Sequence, residues 1–296
     1  MWIPITLAAA TFQILRTARQ HELRRVLDVV PAGFVRYAYG FPLALVACVV
    51  TFGVAGAEVP APPLRFWPIV TGAGVAQIAG TLALLRAFQI RDFAIGTVYS
   101  KSEIIIVAVV SAVLLGESLE PMGWLFAAAC MVGVAWLAAP SDVGQALRSA
   151  GDPAALLGVG AALGFALAAA GIRAGANSLG DGSTWTRALF TLTAMLGIQT
   201  VVNAAQLGTT DRSGLRDVFR FWRAALPVGV LSIAGSIGWA TAVTLTDATR
   251  VRTLGQVELL MAFAVSALWL RERHTRAEYA ASALVMAGVV GVVALG

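Results

Sequence analysis

The amino-acid sequence predicts an all-α membrane protein of ten transmembrane helices, arranged as two antiparallel repeats of five helices each. Three observations support this prediction. Hydrophobic residues make up 58% of the 296 residues and charged residues only 12%, which is about half the charged fraction of a soluble domain. Apolar runs long enough to cross the hydrocarbon core recur along the whole chain. The second half of the sequence also repeats the first.

The predicted spans are ten apolar runs separated by short polar segments. They lie at residues 2–20, 31–52, 66–86, 94–115, 122–139, 154–174, 185–206, 222–244, 251–270 and 277–295. The longest polar stretch between them, about 207–221, is too short to fold alone. The first run has no basic leader before it and no small-residue cleavage site after it, so we expect it to be retained.

The duplication is visible without a gap. Residues 65–140 align with residues 220–295 at a shift of 155, and about 21 of 76 pairs are identical. Some identical pairs are charged, such as Arg65 with Arg220 and Glu103 with Glu258, which apolar composition does not explain. We predict two repeats, residues 1–150 and 151–296. Because five is an odd number of spans, the repeats are antiparallel, an arrangement that places a binding site between them near the midplane.

The basic residues cluster in alternate loops between the spans. The less basic side holds Arg65, Arg173, Arg187, Arg250 and Arg252. By the positive-inside rule the more basic loops are cytoplasmic, which predicts a multi-pass protein of the inner (plasma) membrane with both termini outside. The net charge of +5 is thus spread over loops, and we expect no nucleic-acid partner.

Several chemistries lack their minimum residues in this sequence. It contains no phosphate-binding loop of the Gly-x-x-x-x-Gly-Lys-Ser/Thr type, no His-Glu-x-x-His, no Gly-x-Ser-x-Gly and no cysteine cluster. We therefore expect no enzyme activity, no cofactor and no metal site, and any driving force must come from an ion or substrate gradient.

One stretch carries a family resemblance. Residues 115–125 read Leu-Gly-Glu-Ser-Leu-Glu-Pro-Met-Gly-Trp-Leu, and Gly133-Val134 follow. This resembles the LGExLxPxxWxG…GV signature that ends each repeat of the EamA family, in the drug/metabolite transporter superfamily. Residues 270–272 and 288–289 form a weaker second copy without the Pro and the Trp. Arg36 and Arg187 each lie at the start of the second span of a repeat, a position that resembles one where the family often carries an arginine.

The resemblance implies a ten-helix inner-membrane carrier with an inverted repeat, a central cavity, and export of amino acids, metabolites or drugs. This chain departs from the family at one place. Family members often have an uncharged, Pro-containing segment early in the fourth and ninth spans, where this chain has residues 99–103 (Tyr-Ser-Lys-Ser-Glu) and 254–258 (Leu-Gly-Gln-Val-Glu).

Glu103 and Glu258 lie inside these two spans at equivalent positions. A carboxylate in an apolar span is costly unless it is paired or hydrated, so both are functional candidates. They could bind a cationic group of a substrate or carry protons. The alternative is a permanent ion pair with a buried arginine. The candidate partners are Arg16 and Arg36 in the first half and Arg173 and Arg187 in the second.

Polar residues present in only one repeat are a second class of candidate, because the shared fold does not require them. Lys101, which is equivalent to Gln256, could bind a carboxylate or phosphate of a substrate. It could also pair with a carboxylate such as Glu103 or extend to the membrane surface. The other one-copy residues are Gln77, Tyr99 and Trp239.

Two glycine patterns predict structure rather than chemistry. On the sixth span, Gly160-x-x-x-Gly164 and Gly171-x-x-x-Gly175 would let a neighbouring helix approach closely. The Gly116-Glu117 pair is expected to mark the end of a helix.

Two functions fit these residues. The leading hypothesis is a secondary transporter that exports a small metabolite, amino acid or drug by alternating access, with proton exchange through Glu103 and Glu258. The alternative is a flippase, or a flippase subunit, for a lipid-linked or phosphate-bearing substrate, which the arginines would suit. Both make a small-molecule substrate and membrane lipids the expected partners.

Overall fold

The computed structural model describes residues 1–23, 25–90, 99–138, 151–264 and 275–295. Regular secondary structure in these ranges is helical throughout. The helices within the described ranges are α1 (Trp2–Leu23), α2 (Val29–Cys48, continued by a π-helical segment Val49–Val54), α3 (Phe66–Ile90), α4 (Glu103–Leu115), α5 (Pro121–Ala138), α6 (Pro153–Ser178), α7 (Thr184–Thr210), α8 (Arg212–Arg220), α9 (Trp222–Leu245), α10 (Ala248–Gly255), α11 (Val257–Ala264) and α12 (Arg276–Leu295).

The predicted all-α membrane class agrees with this architecture. In the described part of the chain, 6 helices are long and apolar enough to cross a membrane: α2 with its extension, α3, α6, α7, α9 and α12. They correspond to six predicted spans, and α4 and α5 are shorter apolar helices. The count of ten spans and the antiparallel repeat stay predictions.

The outer faces of these helices are apolar, as lipid contact requires. On α2 and its extension, Val46, Val49 and Val54 are 58%, 64% and 79% exposed. A continuous apolar face of this kind would be a liability on a soluble protein. In a bilayer it contacts acyl chains.

The predicted fourth and ninth spans are not continuous helices, which corrects the sequence analysis. In the ninth, α10 ends at Gly255, Gln256 forms a turn and α11 begins at Val257. In the fourth, Lys101 and Ser102 form a turn before α4. Residues 91–98 and 265–274, which include the rest of these two spans, lie outside the described residues.

The Gly116-Glu117 pair ends α4, as predicted. Gly116 has φ +71°, in the left-handed region that favours glycine. Its N–H and that of Glu117 both donate to the carbonyl oxygen of Ser111. This part of the family signature therefore terminates a helix.

The chain divides into two compact units, and each unit takes residues from both halves of the sequence. Unit 1 comprises Met1–Gly74 and Gly171–Leu245, and unit 2 comprises Val75–Ala170 and Thr246–Gly296. The boundaries fall inside α3 and α6, so both helices contribute to both units. The division into repeats at residues 1–150 and 151–296 concerns the sequence and stays a prediction.

Unit 1 is built on α9, which packs against α1, α2 and α7. Small residues allow this close packing. A Cβ added to Gly238 of α9 would lie 2.8 Å from the Cβ of Ala9 on α1. The buried Gln199 of α7 donates its side-chain amide to the carbonyl oxygen of Gly74, at 3.3 Å.

Unit 2 is built on the pair α5 and α12. A Cβ on Gly133 would lie 2.8 Å from the backbone nitrogen of Val285, and one on Gly288 would lie 2.5 Å from that of Cys130. Gly133 is the repeat equivalent of Gly288, and Cys130 is the equivalent of Val285. The contact is thus reciprocal, as it is between two copies related by a twofold axis.

The two predicted Gly-x-x-x-Gly motifs on α6 provide a matched pair of substitutions. A Cβ on Gly164 would lie 2.7 Å from the Cα of Gly80, whereas a Cβ on Gly160 meets no atom within 4 Å. We expect Gly164→Ala to lower the melting temperature of the purified protein in detergent, because α3 and α6 must separate. Gly160→Ala should leave it unchanged or raise it, since alanine favours a helix over glycine by about 1 kcal/mol. Equal shifts for the two variants would contradict this packing.

Candidate functional site

The two interrupted spans provide the candidate site, and both interruptions lie in unit 2. They occur at equivalent positions of the two repeats, since Lys101 corresponds to Gln256. At each interruption a backbone N–H bonds three residues back instead of four. Ile104 donates to the carbonyl of Lys101 at 3.3 Å, and Leu259 donates to that of Gln256 at 3.0 Å.

Side chains at each interruption compensate backbone groups that a continuous helix would satisfy. The hydroxyl of Ser102 donates to the carbonyl oxygen of Tyr99, at 2.7 Å. The amide of Gln256 donates to the carbonyl oxygen of Arg252, at 3.3 Å. In a membrane an uncompensated carbonyl costs several kcal/mol, so these bonds make irregular backbone tolerable.

Each interruption places a carboxylate at the start of the following helix. Glu103 lies in the first turn of α4 and Glu258 in the first turn of α11. The start of a helix is the positive end of its dipole, which is a favourable place for an acidic side chain. Both side chains are half-buried.

Glu103 forms an ion pair with Arg252. The Nε of Arg252 lies 3.3 Å from Oε1 of Glu103, and the two side chains are 20% and 15% exposed. Arg252 belongs to α10, which packs against α4. The pair therefore connects an element of the first half of the sequence to one of the second half. It also explains how a carboxylate is accommodated within this span.

The other predicted residues of unit 2 surround these interruptions or lie on α3. Lys101 and Gln256 are the interruptions themselves, and Tyr99 lies two residues before Lys101. Gln77 lies on α3, where its backbone carbonyl accepts a hydrogen bond from the hydroxyl of Thr81, at 2.8 Å. All four predicted side chains are half-buried.

The four predicted arginines and Trp239 belong to unit 1. Arg173 donates to the carbonyl oxygen of Val243 at 2.8 Å, which satisfies a group in the last turn of α9. The indole of Trp239 donates to the side-chain oxygen of Gln13 at 3.2 Å and so connects α9 to α1. The guanidinium of Arg36 lies 5.0 Å from the ring centre of Tyr37. Arg16 on α1 and Arg187 on α7 are half-buried.

Glu103 thus pairs with Arg252 and not with one of the four arginines proposed from the sequence. Within the described ranges, no group of three or more His, Cys, Asp or Glu residues is placed to hold a metal ion.

The second half of the chain matches a known family. Residues 152–294 match the EamA-like transporter family. The match confirms the resemblance to this family, over the part of the chain that carries the weaker second copy of the signature. The match indicates a membrane transporter of small solutes, and it supports the prediction that the chain is not an enzyme.

The fold is shared with solved structures. Among 28 matching chains, one described only as "Crystal structure of protein" has a TM-score of 0.69 with 15% identity, and the match covers 98% of this chain and 96% of that one. At this identity the likeness concerns the fold alone. No curated protein matches the chain.

Arg252 is the residue of the candidate site that the sequence analysis missed. It was counted with the loop arginines of the less basic side, although it is the second residue of the predicted span 251–270. The signal that could have found it is repeat asymmetry, since its equivalent in the first half is Thr97. The criterion that selected Lys101 selects Arg252 as well.

A double-mutant cycle tests the pair between Arg252 and Glu103. We expect Arg252→Gln and Glu103→Gln each to lower the free energy of unfolding, measured by reversible unfolding in mixed micelles, because each leaves a half-buried charge without its partner. The double variant should lose less than the sum of the two, by about 1 kcal/mol or more.

Arg250→Gln is the matched control for this cycle. Arg250 pairs with Asp247 within one turn of chain at 3.6 Å, and both side chains are about one third exposed. Removing such a pair should cost no more than about 1 kcal/mol. Strictly additive effects of the Arg252 and Glu103 substitutions would show that their contact does not contribute to stability.

Proposed function

We propose that this protein is a secondary transporter that exports a small metabolite, amino acid or drug by alternating access, and that the two helix interruptions bind the substrate. The observation that carries the proposal is that α4 and α11 both start directly after an interruption, at repeat-equivalent positions, with a carboxylate in the first turn. In secondary transporters, discontinuous helices supply both backbone and side-chain groups to substrate and coupling ions.

The charges at the interruptions suit a substrate with both a cationic and an anionic group. Glu103 and Glu258 are the acceptors for a cation. The one-copy residues Lys101 and Arg252 are the donors for a carboxylate or phosphate. Because these two cations replace Gln256 and Thr97 of the other repeat, they supply selectivity that the shared fold does not need.

The ion pair between Glu103 and Arg252 gives this site a defined resting state. A substrate cation competes with Arg252 for Glu103, while a substrate anion competes with Glu103 for Arg252. A substrate carrying both groups replaces the pair without leaving a half-buried charge uncompensated, which lowers the cost of its entry. A substrate with a single charge would leave either Glu103 or Arg252 without a counter-charge.

Proton exchange through Glu103 and Glu258 is the proposed coupling step. The two carboxylates occupy repeat-equivalent positions, and each lies in the first turn of the helix that follows an interruption.

Reciprocal packing supports alternating access. Gly133 faces Val285 and Gly288 faces Cys130, so the two halves of the sequence meet on equivalent surfaces at α5 and α12. In antiparallel repeats, exchange of the conformations of the two halves converts an inward-facing state into an outward-facing one.

The flippase alternative takes second place. It relied on four arginines for a phosphate group, and two of them have contacts that explain their presence. Arg173 binds the carbonyl oxygen of Val243, and Arg36 lies over the ring of Tyr37.

A ligand screen tests the site. Purified protein is heated with amino acids, cationic drugs or phosphate-bearing head groups at pH 6 and pH 8. We expect a zwitterionic compound to raise the melting temperature of the wild type, since a ligand at about 100 Kd stabilises by about 2.7 kcal/mol. The double variant Glu103→Gln/Glu258→Gln should lose this shift. The control variant Glu120→Gln, which removes an exposed carboxylate before α5, should keep it.

The same ligand then serves in liposome transport. Glu258→Gln should abolish the dependence of transport on a pH gradient while transport down the substrate's own gradient continues. If both single Gln variants kept the wild-type pH dependence, the proton role would be wrong. A ligand shift that persists in the double variant would remove both carboxylates from the binding site.

A further inference from the structure

The short helix α8 is held at a membrane surface by its connections. A single residue, Asp211, joins it to α7, and a single residue, Phe221, joins it to α9. Both neighbours are candidate membrane spans. Because each linker is only one residue long, α8 lies where the two spans end.

Two contacts fix the position of α8. The Asp211 carboxylate caps it, accepting hydrogen bonds from the N–H of Gly214 and the hydroxyl of Ser213, both at 2.8 Å. These two hydrogen bonds, of which the one from Gly214 has the larger effect, hold the pKa of the Asp211 carboxyl below its usual range. The capping carboxylate is therefore ionised at neutral pH. At the other end, the hydroxyl of Tyr39 on α2 donates to the carbonyl oxygen of Val218, at 3.0 Å.

The outer side of α8 carries an arginine stripe, which consists of Arg212, Arg216 and Arg220. At four-residue spacing these three residues fall within a sector of about 80° on the helix. All three are exposed, and the side chain of Arg220 is 76% exposed. Arg212 donates through Nε to the carbonyl of Gly208 at 2.9 Å, which uses one of its five N–H donors. Arg220 lies 3.9 Å from the carboxylate of Asp217, a long contact on the same exposed surface.

Aromatic side chains border the arginine stripe. Phe219 is 55% exposed and Trp222, at the start of α9, is 50% exposed. The guanidinium of Arg223 lies 5.5 Å from the ring of Trp222. Exposed aromatic rings beside basic residues at the end of a span are typical of the headgroup region of a bilayer.

The first half of the sequence has no equivalent of this feature. At the same shift of 155, α8 corresponds to residues 57–65, of which all but Arg65 precede the aligned part of the first repeat. These residues contain one arginine and three prolines and form no regular helix. The shared fold therefore does without the arginine stripe, and a function specific to this surface must explain it.

We propose that the arginine stripe binds the phosphate groups of anionic phospholipids and anchors this end of α7 and α9 to the membrane surface. Guanidinium groups bind phosphate through paired, charge-assisted hydrogen bonds. Basic residues next to a bilayer are attracted to anionic lipids and lose that attraction in high salt. The surface lies outside the proposed substrate site, so this inference does not depend on the proposed function.

Native mass spectrometry of the full-length protein tests the proposal. The protein in detergent is titrated with phosphatidylglycerol or with phosphatidylcholine, and the Kd of the first bound lipid is measured. The wild type should bind phosphatidylglycerol more tightly. Arg212→Gln/Arg216→Gln/Arg220→Gln should raise the Kd for phosphatidylglycerol by about tenfold or more and leave that for phosphatidylcholine unchanged.

Two further variants make the result specific. Arg65→Gln/Arg86→Gln/Arg276→Gln removes the same charge from three separated, exposed positions and should keep most of the preference. Arg212→Lys/Arg216→Lys/Arg220→Lys keeps the charge on α8 but not the paired hydrogen bonds, so its Kd for phosphatidylglycerol should lie between those of the wild type and the Gln variant. Melting temperatures in phosphatidylcholine identify any variant that fails to fold.

Equal affinities of the two Gln triple variants for phosphatidylglycerol would overturn the proposal. So would a wild type without preference for the anionic lipid, a result that would instead suit an acidic protein segment as the partner of this surface.

Discussion

The cost of breaking a helix inside a membrane governs the structure around the candidate site. At each interruption a side chain donates to a backbone carbonyl. The Ser102 hydroxyl, together with the Ser102 N–H, donates to that of Tyr99, and the Gln256 amide donates to that of Arg252. With the backbone compensated, the chain can place Glu103 and Glu258 at helix starts, where the helix dipole favours a negative charge. Arg252 then balances Glu103 from the neighbouring helix α10.

Residues shared by the two repeats and residues present in only one repeat have different roles. Residues kept in both repeats build shared architecture: Gly133 and Gly288 make equivalent close contacts, and both repeats interrupt a helix before a glutamate. Residues kept in only one repeat add charge at particular places. Lys101 and Arg252 do so beside the interruptions, and the arginine stripe does so on α8. Comparing the two repeats therefore separates the residues of the shared scaffold from the charged residues that only one repeat carries.

Hydropathy alone located most of the described helices, because burial in lipid demands about 20 apolar residues per span. It could not show the interruptions, since the apolar residues of 257–270 extend the predicted span across Gln256 and the compensating bond of Gln256 is local. It also could not assign Arg252 to Glu103. That contact depends on how α10 packs against α4, whereas the sequence analysis considered four other arginines as partners and counted Arg252 with the loops. The Gly116 terminus was predictable because its signal lies within two residues.

Water access at the interruptions tests the central claim most directly, because a substrate site must be reached from solution. Single cysteines at positions 101 and 256, with Cys48 and Cys130 replaced by alanine, would be treated with a charged, membrane-impermeant thiol reagent in liposomes. A cysteine at position 113, a residue 75% exposed on the apolar surface of α4, is the lipid-facing control. The account predicts modification at 101 and 256, slowed by any ligand that stabilises the protein, and none at 113. If cysteines at 101 and 256 reacted no faster with the reagent than the cysteine at 113, whichever direction the substrate or proton gradient had, the result would contradict a substrate site at the helix interruptions.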